Sequence, residues 1–237
     1  ALIEIQASEN GDAVLQKVSI NYAPDPFPLN AATNVDLAPR IAAPQFKIAK
    51  RAPAARLTPN GFVVENGLMQ MAFETKPHLQ LLSIRHELLG KNILAHPENA
   101  KLFLVEIGDK RFCAADWKVQ NIKISSDKKS VQVQLSLPEY SLSASLSFAV
   151  DATNCRMKLN IINNAKTAQS WKTAFPQLGG LQLSAAEKND TYLFPFSGSI
   201  IGALPANLRT IYGNDTAWWQ MMDLFSPTGG AGISLRS

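Results

Sequence analysis

Three aspartates stand near aromatic or glycine-rich stretches: Asp190, Asp215 and Asp223. Hydrolysis of a glycosidic bond needs two carboxylates about 5 to 10 Å apart, so these are the first residues to weigh. Lys188-Asn189-Asp190 and Gly213-Asn214-Asp215 are turn sequences, which puts Asp190 and Asp215 in solvent. Asp223 follows Met221-Met222 in a strand-like run and reads as a partly buried, hydrogen-bonded carboxylate. A structural role is expected of all three. Epimerisation of a sugar ring needs a general acid and a general base, commonly with a histidine oriented by a partner. His78 follows Pro77 at a turn, His86 ends a strand beside Glu87, and His96 precedes Pro97. Each is expected at a surface or a turn. Cys113 and Cys155 lack metal-type spacing. They read as buried free thiols, with pairing across adjacent strands left open. No phosphate loop, nucleophile elbow or metal-ligand cluster is present, so neither a metal nor a cofactor is implied.

Binding chemistry is better represented. Trp171, Tyr192, Tyr212, Trp218 and Trp219 fall in a tail rich in glycine and proline. Such rings stack on the apolar C–H faces of sugars, and Asp223 could accept a hydrogen bond from a hydroxyl. The alternative is that these rings fill a core. Successive strand residues point to opposite faces. Trp218 and Trp219 therefore cannot both face one core, and one of them meets a neighbouring domain, a ligand or a second buried layer.

The elements that would hold these residues are strands. Val131, Val133, Leu135 and Leu137 alternate with Gln132, Gln134 and Ser136, and Leu142, Ala144, Leu146 and Phe148 alternate with small residues. Period two gives one face to a core and one to solvent. Glu65-Asn66-Gly67-Leu68 links two apolar runs as a hairpin turn. No long segment carries a 3.6-residue period. The fold class is all-β, an antiparallel β-sandwich. Residues 1–22 read as a terminal hairpin around Asn10-Gly11 that belongs to a larger sheet. Residues 23–60 hold seven of the fourteen prolines and read as an extended connector. Residues 61–237 form the sandwich domain.

Composition narrows the function classes. The chain has 237 residues, 46% of them hydrophobic, which suffices for a sizeable core. Five basic residues against two acidic ones between Pro24 and Asn60 account for most of the net charge of +4. The remainder is nearly neutral, which argues against nucleic acid as a partner. No apolar run reaches the length of a membrane span. The first residue is Ala1 rather than Met, and the expectation is that an upstream piece has been removed or precedes it.

The run from Gly61 to Asn92, with Asn66-Gly67 and "LLSIRHELLGKNIL", resembles the start of the galactose-mutarotase-like β-supersandwich. In the tail, "FPQLGGLQL", "YLFPFSGSII" and "YGNDTAWWQMMDLFSPTGGAGISL" resemble later strands of such domains in glycoside-hydrolase-like proteins. The resemblance spans about Gly61 to Ser237. It implies a supersandwich that precedes an (α/β)8 barrel, in a secreted or periplasmic multidomain protein acting on oligo- or polysaccharide. Catalytic carboxylates would then lie beyond Ser237, and residues 1–22 would close a preceding jelly roll. None of the three histidines lies in a segment like the mutarotase histidine motif. The resemblance therefore implies a domain without catalysis of its own, packed on a neighbouring domain of the same polypeptide. An independent carbohydrate-binding module, a sugar epimerase and a polysaccharide-lyase sandwich domain are the alternatives.

Overall fold

The computed structural model describes residues 51–195, 200–203, 221–226 and 231–236. Backbone contacts divide the chain into Ala1–Pro44 and Gln45–Ser237, and all the described residues belong to the second unit. The expected hairpin 1–22 and most of the connector lie outside the described residues. The described fold is all-β and antiparallel, consistent with a sandwich.

The first sheet is a meander of β1 (Ala54–Thr58), β2 (Gly61–Glu65), β3 (Met69–Glu74), β4 (Gln80–His86) and β5 (Lys91–Asn92). β1 falls inside the stretch read from its prolines as connector. Only Pro53 and Pro59 flank it, so its five residues keep their amide donors and pair with β2 from Ala54↔Glu65 to Thr58↔Gly61. A three-stranded sheet follows in the order β12 (Lys172–Gln177), β6 (Leu102–Ile107), β7 (Lys110–Cys113). The longest strands form β11-β10-β9-β8, from β8 (Lys118–Ile124), β9 (Ser130–Leu137), β10 (Leu142–Val150) and β11 (Cys155–Asn163). The last sheet is β14-β13-β15-β16, from β13 (Thr191–Phe194), β14 (Ile200–Ala203), β15 (Met221–Ser226) and β16 (Ala231–Arg236).

Alternation along β9 and β10 sends Val131, Val133, Leu135, Leu142, Ala144, Leu146 and Phe148 into the core, each at most 1% exposed. The first sheet covers them. Phe62 of β2 and Phe73 of β3 stack with ring centroids 4.5 Å apart, and Phe148 of β10 meets Phe73 at 4.4 Å. Truncating such a buried ring to alanine costs about 3–5 kcal/mol. The two layers are also tied by main chain, with the Ala55 amide donating to Lys128 O at 2.6 Å. One apolar cluster continues through Leu102, Phe103, Trp117 and Leu183 to Tyr192 and Leu224 of the last sheet.

The β2–β3 connection departs from the two-residue turn that Asn66-Gly67 suggests. Gly67 is not in the positive-φ region. The fully buried Asn66 side chain closes the turn instead, its Oδ1 accepting from the amides of Leu68 and Met69, each at 2.9 Å. Its Nδ2 donates to Asp151 O at 2.9 Å and Asn154 O at 3.4 Å, which fastens the turn to the β10–β11 loop.

Candidate functional site

A β-bulge prepares a wide concavity beside His86. Across β3 and β4 the register runs from Phe73↔Leu81 to Ala72↔Ser83, which leaves Leu82 as the extra residue. An extra residue exchanges the two faces of a strand. Leu79 and Leu81 point inward before it, and Ile84 and His86 after it. Leu82 itself is turned out, 40% exposed. His86 is therefore buried, contrary to the surface position expected from sequence. Its Nε2 lies 3.2 Å from Gly232 O of β16, and its Nδ1 faces the Leu89 amide at 3.4 Å. These partners suit a neutral ring with its proton on Nε2. Both nitrogens are engaged with main chain, so the ring links β4 to β16, and among the described residues neither nitrogen meets a carboxylate.

The cleft beside His86 holds about 1070 Å³ and is walled by β3, β4, the start of β11, β12 and β13, and by β15 and β16. All five methionines of the chain line it: Met69, Met71, Met157, Met221 and Met222. Met69 and Met71 are two apart on one strand face, and Met69 stands opposite His86. Methionine adapts its shape to irregular apolar surfaces. The fixed charges among the described lining residues are Arg156 and Arg236. No described aspartate or glutamate lines the cleft.

The two thiols are free. Burial, and then the Asp151 carboxylate, push the Cys155 thiol up to about 12. Burial and a hydrogen bond to Asp116 also raise Cys113. Asp151 itself is held below the ordinary aspartate value by the amides of Thr153 and Asn154, at 2.9 and 2.8 Å. Among the described residues no group of histidine, cysteine, aspartate or glutamate is arranged to hold a metal ion.

The residues singled out from sequence separate. Tyr212, Trp218, Trp219 and Asp215 lie outside the described residues. Tyr192 is 9% exposed and lies across from Gly202, where an added Cβ would come within 2.5 Å of its hydroxyl. Trp171 is half-buried against the core just before β12. Asp223 is half-buried on β15 opposite Leu193 and Ser234, with a buried Oδ1 that has no hydrogen-bond partner among the described residues. Asp190, expected in solvent, is fully buried: its Oδ2 accepts from the Leu183 amide at 2.6 Å, at the entry to β13. The Gly179-Gly180 pair, read among loop features that build binding surfaces, is a close crossing. A Cβ on Gly179 would lie 2.6 Å from Asn99 O, and one on Gly180 2.2 Å from His96 O. His78 and His96 are exposed as expected. Sequence reasoning did not single out the cleft. Met69-Gln70-Met71 and Met221-Met222 were the available signal, as soft side chains at strand spacing.

No protein-family model, curated protein or solved structure matches the chain. Among the described residues no helix is long and apolar enough to cross a membrane.

Proposed function

We propose that this chain is a non-catalytic β-sandwich domain of an exported, glycoside-hydrolase-like protein, galactose-mutarotase-like in fold. In this reading it braces a catalytic domain of the same polypeptide and lends a wall to its glycan cleft. The observation that carries the supporting role is the open cleft of about 1070 Å³ lined by all five methionines. An apolar hollow of this kind can take a packed neighbour. The carbohydrate assignment draws on the resemblance, whose quoted residues fall in β2–β5 and β12–β16. The buried rings bear on the choice between support domain and binding module. Tyr192 is committed to packing and Trp171 is half-buried, so the described aromatics favour support over a stacking platform.

The test is a panel of aryl glycosides and immobilised polysaccharides offered to the chain and to Trp171→Ala. The expected result is no released aryl group and, at most, weak polysaccharide retention that Trp171→Ala leaves unchanged. Turnover abolished by His86→Gln would replace this reading with an autonomous enzyme. Tight retention lost in a folded Trp171→Ala would replace it with a binding module.

A further inference from the structure

β11 is an edge strand among the described residues, paired only with β10 through nine register positions from Leu142↔Asn163 to Val150↔Cys155. Its two faces are less covered by the described residues than those of its neighbour. The inward residues of β10 are fully covered, with Leu142, Ala144, Leu146 and Phe148 at most 1% exposed. The inward residues of β11, Cys155, Met157, Leu159 and Ile161, are only half-buried. The apolar layer thus continues beyond its cover, and Cys155 and Met157 open directly into the methionine-lined cleft.

The outer face carries two exposed cations, Arg156 and Lys158, with the exposed Ile162 further along. Arg156 and Lys158 are exposed and stand opposite Ala149 and Ser147 of β10, which carry no charge. Arg156 is ion-paired with Asp151 at 3.7 Å, and Lys158 has no ion-pair partner among the described residues. Counter-charges one strand further out would complete this face. In a second copy of β11 paired antiparallel over the same nine residues, Arg156 would face Ile162 and Lys158 would face Asn160, which leaves both cations without a counter-charge.

We propose that the free edge of β11 takes up an extended polypeptide strand of alternating character, apolar toward the cleft and acidic toward solvent. The main-chain groups of the edge pair with the incoming strand, its apolar side chains fill the space beside Met157, and its carboxylates stand opposite Arg156 and Lys158. This is strand addition, with affinity from main-chain hydrogen bonds and selection by alternate side chains. It deepens the supporting role proposed above by naming the chemistry of the partner, and it is independent of whether that partner acts on carbohydrate.

The probes are two capped nine-residue peptides, one alternating valine with glutamate and one alternating valine with lysine. Each is titrated by fluorescence anisotropy into the full chain and into the Arg156→Glu/Lys158→Glu variant. Both substituted side chains are exposed, so the variant is expected to melt with the parent. The acidic peptide should saturate the parent and bind the variant about tenfold more weakly, while the basic peptide gains on the variant. Amide exchange along Cys155–Asn163 should slow when the acidic peptide is bound. Saturation by neither peptide would overturn the proposal, as would equal binding of both that is insensitive to charge reversal. Neither result touches the glycan test, so failure here and failure of the carbohydrate reading are read separately.

Discussion

Asn66 carries four hydrogen bonds from one fully buried amide, two closing its own turn and two reaching the β10–β11 loop. Replacing it with alanine leaves the Leu68 and Met69 amides without their acceptor and removes a donor from the loop. Asn66→Ala should lower the unfolding free energy by about 2–3 kcal/mol, measured by urea titration, and Asn66→Asp should recover only the turn-closing half. The cysteines give a second prediction at this scale. A thiol pushed up to about 12 is almost entirely protonated near neutrality, and the thiolate is the reactive form. Iodoacetamide at pH 8 should label Cys155 slowly in the folded protein and rapidly in urea, with mass spectrometry reading the site. Fast native labelling at Cys155 would show that the half-buried inward face of β11 opens readily.

Gly61 begins β2 where that strand passes against β3. A Cβ there would stand 2.0 Å from Phe73 O and 2.9 Å from Glu74 Cα, both main-chain atoms that cannot rotate away. Gly61→Ala should therefore destabilise by about 2–3 kcal/mol through displaced backbone, although alanine is ordinarily tolerated in strands. Thermal melting of the single variant decides it. The bulge at Leu82 is the other decisive feature of the first sheet, because it converts one strand into two phases. It places the exposed Leu82 outside and the buried His86 against Gly232. A strictly alternating strand would have put Leu82 and His86, four residues apart, on the same face.

For the whole molecule, acid sensitivity follows from three carboxylates held below their ordinary values. Burial acts to raise Glu65, and hydrogen bonds from Gln70 and Arg56 with the charges of Arg56 and Arg51 outweigh it. Asp151 is lowered by the amides of Thr153 and Asn154, and Asp127 by the Ser125 hydroxyl and the Lys129 amide. For a depressed carboxylate the unfolded chain takes up protons first, so stability is complete above the unfolded value and is lost as pH falls through the folded one. The melting temperature should hold steady from neutrality to roughly pH 5 and decline below it. Added salt should weaken the shares that come from charges, Arg51 and Arg56 on Glu65, Arg156 on Asp151 and Lys129 on Asp127, and spare those that come from hydrogen bonds.

Local patterning was enough for the fold class and for most strands. β9 and β10 are legible because every inward position is apolar and every outward one small or polar, so period two needs no outside information. The same holds for the all-β, antiparallel assignment as a whole. What tertiary structure decided are the places where a residue answers to something distant in the chain. Asn66 serves a loop some 85 positions away, and His86 meets a carbonyl 146 positions away. Asp190 reads as a turn residue because its neighbours are polar, yet a main-chain amide of Leu183 draws it inside. Gly179-Gly180 reads as a loop until the His96–Asn99 backbone is laid against it. The cleft belongs wholly to this second kind. Its methionines come from strands at both ends of the described domain, and only the stacking of sheets brings them to one surface.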